Sequence, residues 1–111
     1  MVRESPSSVE KELLDRVRTG VRELEPNARI ILFGSRARGS AGTDSDWDML
    51  ILLDGPVDWR RAERVHDRLY DVELDLGEVL SCVVRSKDEW DGPLLSVTPL
   101  HDEIEREGVQ L

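Results

Sequence analysis

IILFGSRARG (Ile30–Gly39) and DSDWDMLILL (Asp44–Leu53) are the two stretches of this sequence that decide the fold. In the first, an apolar run ends in Gly-Ser and basic residues follow, which predicts a strand (Ala28–Phe33), a turn and a short helix (Arg36–Gly39). In the second, two aspartates open an apolar run, which predicts a strand over Trp47–Leu53. The small polar residues between the two stretches predict a loop.

Two of the predicted strands have faces of different chemistry, because successive side chains of a strand point to opposite sides. In the second strand the alternation groups Asp46, Asp48, Leu50 and Leu52 against Trp47, Met49, Ile51 and Leu53. A third strand is predicted over Val79–Arg85, with Ser81, Val83 and Arg85 against Leu80, Cys82 and Val84.

Apolar residues spaced by three or four positions predict two long helices, Ser8–Glu25 and Asp58–Leu76. Ser7 and Glu10 form a capping-box pattern at the start of the first. Gly77 fits the residue after the end of the second. An alternative breaks the second helix at Tyr70-Asp71 and makes its last residues a strand, but the position of Gly77 favours one helix.

The C-terminal part of the sequence predicts two shorter helices. Ser86 and Glu89 repeat the capping-box pattern before a helical turn through Trp90. Thr98 followed by Pro99 predicts a helix start, and this last helix is expected to end at Glu107. The whole order predicts an α/β (α+β) fold, a small mixed sheet of about three strands flanked by helices, in a single domain over residues 1–111.

Composition excludes several classes of function. The chain has 111 residues, 35% of them charged, and a net charge of −9, which disfavours gripping nucleic acid through bulk charge. Cys82 is the only cysteine, so an internal disulfide and a cysteine zinc site are excluded, and its apolar neighbours indicate a buried thiol. No apolar stretch is long enough to predict a membrane span or a leader, so a cytoplasmic location is expected.

The Gly-Ser turn has the chemistry of a phosphate site. Gly34 lets the backbone approach a ligand, and Ser35 adds a hydroxyl that can bond a phosphate oxygen. Arg36 and Arg38 place two positive charges beside the turn, where they could neutralise a polyphosphate. Taken alone, the Gly-Ser pair favours a simple turn with solvated arginines over a phosphate site.

The two aspartates change this interpretation. Asp46 and Asp48 lie two residues apart at the start of a strand, so both carboxylates project from the same face. Two like charges this close are unfavourable without a cation between them, and hard oxygen ligands suit Mg²⁺ or Mn²⁺. Mg²⁺ shares its coordination shell with substrate phosphates, which would link the aspartates to the turn.

Together, Gly34-Ser35-Arg36-Ala37-Arg38-Gly39 and Ser45-Asp46-x-Asp48 resemble the signature of the minimal nucleotidyltransferases, small members of the polymerase-beta-like superfamily. The resemblance implies that Gly34 and Ser35, with Arg36, Arg38 and Ser45, bind a nucleoside triphosphate, expected to be ATP. It implies that Asp46 and Asp48 bind the catalytic metals. The reaction would transfer a nucleoside monophosphate to a hydroxyl.

The sequence departs from this family at the third carboxylate. Counting from Gly77, the inward-facing position carries Ser81, and a serine does not replace a carboxylate as a metal ligand at neutral pH. Glu78 is the nearest acidic candidate, so the expected catalytic set is Asp46, Asp48 and Glu78. Either Glu78 substitutes, or one metal is weakly held, or activity has been lost.

The resemblance also implies a partner. Short members of the family are often paired with a helical HEPN protein in toxin–antitoxin modules, so the acceptor would be a hydroxyl on that partner. The alternatives are a degenerate domain that masks its partner by contact alone, and a nucleotide sensor without turnover. A homo-oligomer is also compatible with the sequence.

The remaining polar and aromatic candidates are assigned structural positions. His66 and His101 are predicted to be surface residues, and Trp47, Trp59 and Trp90 to belong to the core or to face a partner. A basic stripe on the second long helix is predicted to be solvated, with a contact to a protein or to RNA as the alternative. It consists of Arg60, Arg61, Arg64 and Arg68.

Overall fold

The computed structural model describes residues 8–39 and 45–111. The helices are α1 (Ser8–Leu24), α2 (Gly34–Arg38), α3 (Trp59–Leu76), α4 (Lys87–Asp91) and α5 (Pro99–Glu107). The strands are β1 (Arg29–Phe33), β2 (Trp47–Leu53), β3 (Leu80–Ser86) and β4 (Val109–Gln110). The capping residue predicted at Ser7 and most of the loop predicted after Gly39 lie outside the described residues.

The strands form one mixed sheet in the order β3-β2-β1-β4. β1 pairs antiparallel with β2 and with β4, whereas β2 and β3 run parallel. The predicted α/β fold with a small mixed sheet is confirmed, but the strand count differs by one. β4 has only two residues, and both are exposed, so it carries no periodic signal that the sequence could reveal.

Each face of the sheet is covered by its own apolar cluster. The larger cluster joins α1 and α3 to the face of β2 that carries Trp47, Met49, Ile51 and Leu53. The smaller one joins Trp90 and Ile104 to Leu50 and Leu52 on the other face. The alternation predicted for β2 is therefore confirmed, and Asp48 projects from the smaller cluster's side.

α3 is a single helix, as predicted, and the alternative break at Tyr70-Asp71 is wrong. The Asp58 side chain accepts a hydrogen bond from the Arg61 N–H at 2.8 Å and caps the first turn. Gly77 ends the helix in the left-handed region at φ 68°, and its N–H bonds the Glu73 carbonyl at 2.9 Å. None of the helices in the described residues has the length and apolarity to cross a bilayer.

Both C-terminal helices begin at the predicted caps. Ser86 and Glu89 form a capping box at α4, and the Thr98 hydroxyl accepts from the His101 N–H at α5. The prediction that His101 is a surface residue is wrong. Its ring stacks on Trp90 at 4.4 Å between centroids, and its side chain is only 16% exposed.

The basic stripe of α3 is not uniformly solvated, so that prediction is half wrong. Arg60 and Arg64 are exposed, but Arg68 bonds Glu23 on α1 at 2.6 Å. Arg61 is more deeply engaged, since it donates to Glu25 and to the carbonyls of Asp54 and Pro56. It therefore ties the end of α1 to the loop before α3.

The Arg61–Glu25 contact is the best-shielded ion pair that includes an α3 arginine, with side chains 21% and 17% exposed. The hydrogen bond and charge of Arg61 hold the pKa of Glu25 below its ordinary value, against the opposing effect of burial. Because the pKa of Glu25 is lower in the folded protein than in the unfolded chain, the charged pair stabilises the fold at pH values above the unfolded-state pKa. This stabilisation is lost as pH falls through the folded-state pKa.

We predict that Glu25→Gln lowers the free energy of unfolding by about 1–2 kcal/mol at pH 7. The loss should shrink as pH falls through the lowered pKa of Glu25, because the carboxylate then becomes neutral and its pair with Arg61 is lost. Urea unfolding over a series of falling pH values measures it. Glu23→Gln is the matched control, because Glu23 is 60% exposed and its pair with Arg68 should contribute less than about 0.5 kcal/mol. Equal losses in the two variants at pH 7 would contradict the prediction.

Candidate active site

Three strand ends meet at one edge of the sheet. β1 ends at Phe33, which pairs with Asp48 near the start of β2. Asp48 in turn pairs with Ser81 near the start of β3. Because β1 runs opposite to β2 and β3, its end lies beside their beginnings, so the Gly34 turn, Asp48 and Ser81 stand in a row.

Gly34 and Asp48 are in direct contact. Gly34 joins β1 to α2 at φ 74°, a conformation that residues with a side chain rarely adopt. A Cβ added at this position would lie 2.5 Å from the Asp48 Oδ2 atom. The glycine is therefore required by the carboxylate itself, and the Gly-Ser turn and the aspartate pair form one site.

The aspartates carry unbalanced negative charge. Asp46 is exposed and Asp48 is half-buried. Burial raises the pKa of Asp48, and the charges of Asp46 and then Glu103 raise it further, whereas Arg38 lowers it. A divalent cation would relieve the repulsion that these carboxylates exert on one another.

The donor set fits a magnesium-type ion that takes some of its ligands from water and substrate. Within residues 8–39 and 45–111, no group of three His, Cys, Asp or Glu side chains is arranged to hold a metal ion. Asp46 and Asp48 could supply two hard carboxylate ligands, and their assignment to metal binding stays a prediction. Mg²⁺ is commonly held by one or two carboxylates together with water and phosphate oxygens.

Arg36 is nearly buried, with 9% of its side chain exposed. Its Nε and Nη2 atoms donate to the Ser45 carbonyl at 3.2 and 3.0 Å. Its Cζ atom lies 4.3 Å from the centre of the Trp47 ring. The structure thus brings Arg36 and Ser45 together through the Ser45 backbone, and their assignment to nucleotide binding stays a prediction.

Arg38 has a different environment. Its side chain is 42% exposed, and its Nη1 atom lies 3.3 Å from Glu103 and 3.2 Å from Glu107. Both acids project from α5, so Arg38 links α2 to that helix. Arg38 is more exposed than Arg36, and its positive charge lowers the pKa of Asp48.

The two candidates for the third carboxylate position lie in different places. Ser81 is the direct β3 neighbour of Asp48 and shares its face. Glu78 precedes β3, and its Oε2 atom accepts from the Trp47 indole N–H at 3.4 Å. Since Trp47 belongs to the opposite face of β2 from Asp48, Glu78 is directed toward that side. Its catalytic role stays a prediction.

Two other predicted residues have clear positions. Ser35 is half-buried in the first turn of α2, directly after Gly34. Cys82 packs against the larger cluster on β3, and burial raises the pKa of its thiol to about 12. Cys82 therefore stays protonated near neutral pH, as expected of a buried thiol rather than a nucleophile.

Sequence reasoning missed Glu10, Glu103 and Glu107. Glu10 lies 3.5 Å from Arg36, and the two α5 acids hold Arg38. The spacing of Glu103 and Glu107 does place them on one face of a predicted helix. Nothing local indicates that this face meets α2, because the contact joins residues more than sixty positions apart.

A family model described as a nucleotidyltransferase domain matches residues 14–105, which is most of the chain. The chain belongs to the nucleotidyltransferase domain family. The match includes the Gly34 turn, both aspartates, Ser81 and the Arg38–Glu103 contact. A search of curated proteins finds no significant match.

Two solved structures are similar to this chain. A crystal structure of a toxin–antitoxin with AMP-PNP superposes with a TM-score of 0.57 at 20% identity, covering 86% of this chain and 69% of the other. The Cid1 poly(U) polymerase bound to MgGTP matches with a TM-score of 0.46 at 18% identity, over 73% of this chain and 32% of the other. At these identities the toxin–antitoxin match establishes a shared fold.

Replacing Gly34 with alanine should damage this nucleotidyltransferase site. The new Cβ would collide with Asp48 and strain the backbone, so the carboxylate must move. We predict that Gly34→Ala weakens Mn²⁺ binding by about tenfold or more in calorimetric titration. Gly39→Ala is the matched control, since Gly39 has φ 73° but nothing within 4 Å of its added Cβ. Equal weakening in both variants would show that backbone strain, not contact with Asp48, is responsible.

Proposed function

We propose that this protein transfers a nucleoside monophosphate from ATP to a hydroxyl acceptor in the presence of Mg²⁺ or Mn²⁺. The contact between Gly34 and Asp48 is the observation that supports it most, because it joins a close-approach turn to a pair of acidic ligands. Membership of the nucleotidyltransferase domain family gives the reaction class.

Each residue of the site has a role in this proposal. Gly34 and Ser35 hold the triphosphate through the backbone and a hydroxyl, and Arg38 places a positive charge toward it. Asp46 and Asp48 would hold the metal, which would neutralise charge on the phosphates as pyrophosphate departs. The acceptor would approach from the solvent side of this sheet edge, where Asp46 is exposed.

The reaction is a displacement at the α-phosphorus. The acceptor oxygen forms a bond to the α-phosphorus, and the bond from that phosphorus to the bridging oxygen breaks. Pyrophosphate leaves with the bonding electrons, and the hydroxyl proton passes to solvent. Ser81 does not ionise near neutral pH, so it does not take that proton as a carboxylate at the same position would.

We propose a partner protein of the HEPN class as the acceptor, which makes this chain the antitoxin of a toxin–antitoxin module. A toxin–antitoxin with AMP-PNP shares the fold, which motivates this choice of partner and nucleotide. Large apolar side chains exposed around the end of α4 and the start of α5 support a protein partner. These are Leu94, Val97 and Leu100, with exposed fractions of 84%, 80% and 41%.

The transfer is tested by incubating the protein with α-labelled ATP, Mg²⁺ and the product of the neighbouring reading frame. We predict label on the partner and release of pyrophosphate. Asp46→Asn and Asp48→Asn should each reduce transfer by roughly three orders of magnitude, because each removes a carboxylate that neutralises the metal. Asp54→Asn is the control, since Asp54 pairs with Lys87 at the other end of β2. Label transfer that survives both substitutions would overturn the proposal.

The alternative is a degenerate domain that masks its partner by contact alone. Ser81 beside Asp48 is the observation that favours it, because the site's third position has no charge. A masking protein should neutralise its partner equally well after Asp46 and Asp48 are both replaced by asparagine. An enzyme should lose neutralisation together with label transfer.

Ser81→Asp tests whether the missing carboxylate limits this site. The new side chain would lie beside Asp48 on the same face of the sheet, able to bind metal and accept the hydroxyl proton. We predict that turnover rises by roughly 100-fold at saturating metal. Ser81→Asn, of matching size but without charge, should leave turnover near that of the unchanged protein. Equal rates for the two variants would show that position 81 does not limit catalysis.

A further inference from the structure

The geometry points to Arg36 as a positioning residue that fixes the chain on both sides of Asp46, rather than as a ligand of the nucleotide. The inference deepens the proposed function, since it concerns how that site holds a metal. It also gives Glu78 a role as the counter-ion of Arg36 instead of a catalytic base.

The first support is the bond between Arg36 and the residue before Asp46. Two guanidinium N–H groups converge on the Ser45 carbonyl at 3.2 and 3.0 Å. A backbone oxygen held by two charged donors cannot turn without losing both bonds. The peptide that leads into Asp46 is therefore held from the α2 side.

The second support is the contact with the residue after Asp46. Arg36 stacks on Trp47 at 4.3 Å, and Trp47 is 3% exposed within the larger apolar cluster. The backbone N–H of Trp47 also donates to the Val79 carbonyl at 2.9 Å, which ties the start of β2 to the residue before β3. Arg36 thus contacts the buried Trp47 ring on one side of Asp46 and the Ser45 carbonyl on the other.

The third support is that carboxylates already surround this guanidinium. Glu10 lies 3.5 Å from its Nη1 atom, and Glu78 lies 4.0 Å from its Nη2 atom. Glu78 also accepts from Trp47, so one carboxylate contacts both members of the stacked pair. With 9% of its side chain exposed, Arg36 presents little surface to a phosphate, in contrast to Arg38 at 42%.

The arrangement requires arginine and not simply a positive charge. The planar guanidinium can direct two N–H groups at one carbonyl while its face lies over the indole ring. A lysine ammonium is a point charge and cannot make both contacts with the same geometry. Arg36→Lys therefore separates the geometric role from the charge.

The test uses Mn²⁺ alone as the probe, titrated into the full chain and followed by the electron paramagnetic resonance of the free ion. Arg36→Lys and Arg36→Gln should weaken Mn²⁺ binding by about 10- to 100-fold, the range typical for residues that orient metal ligands. Arg38→Gln should weaken binding of the Mn²⁺–ATP complex but should not weaken binding of Mn²⁺ alone, because losing a positive charge near Asp48 does not oppose a cation there. Glu25→Gln controls for a general loss of stability and should not change Mn²⁺ binding.

Hydrogen–deuterium exchange of residues 45–49 gives a second readout that needs neither metal nor activity. Both Arg36 variants should exchange faster there, whereas Arg38→Gln should exchange as the unchanged protein does. If the unchanged protein binds no Mn²⁺, the proposed function fails, and the exchange rates still decide the role of Arg36. Unchanged exchange in both Arg36 variants, or a loss of ATP affinity in them with unchanged Mn²⁺ binding, would overturn the inference.

Glu78→Gln separates the two roles of that residue. If Glu78 is the counter-ion of Arg36, Glu78→Gln should lose activity that additional Mn²⁺ restores, because only the positioning of the metal ligands is disturbed. If Glu78 is a catalytic base, the activity of Glu78→Gln should stay low at every Mn²⁺ concentration. Activity that stays low at saturating Mn²⁺ would overturn the role assigned to Glu78.

Discussion

The Asp48 carboxylate lies where a side chain on residue 34 would have to lie, and the rest of the site depends on this contact. It exists because β1 is antiparallel to β2 with Phe33 opposite Asp48, so the first turn after β1 comes directly against the carboxylate. The parallel pairing of β2 and β3 then sets position 81 beside it. Sheet register, rather than any single strong bond, assembles the chemistry.

Most of the fold follows from local patterns that the sequence states clearly. The two faces of β2, the single long α3 and the starts of α4 and α5 were all predictable from periodicity and caps. Each depends on neighbours within a few residues, where propensity and side-chain spacing act directly. β4 was not predictable, because two exposed residues gain their strand conformation only by pairing with β1.

The candidate site was predictable as a set of residues but not as an arrangement. The motif names Gly34, Asp46 and Asp48, yet sequence alone treats Arg36 and Arg38 as equivalent basic residues. Their environments differ because Arg36 stacks on the Trp47 ring, whereas Arg38 forms an ion pair with Glu107 on α5. His101 shows the same limit, since its burial depends on Trp90 arriving from another helix. Such contacts join different helices and strands, and the local pattern within one element does not encode them.

The candidate site and several ion pairs and hydrogen bonds lie at opposite edges of the mixed sheet. The Arg61–Glu25 pair, the Lys87–Asp54 pair and the bond from Lys87 to the Asn27 carbonyl all lie at the edge away from the aspartates. Substitutions at distant sites with no shared partners combine nearly additively. Substitutions near the aspartates can therefore vary while the pairs at the opposite edge keep the domain folded, and a loss of stability near the aspartates can be offset by a gain at that opposite edge.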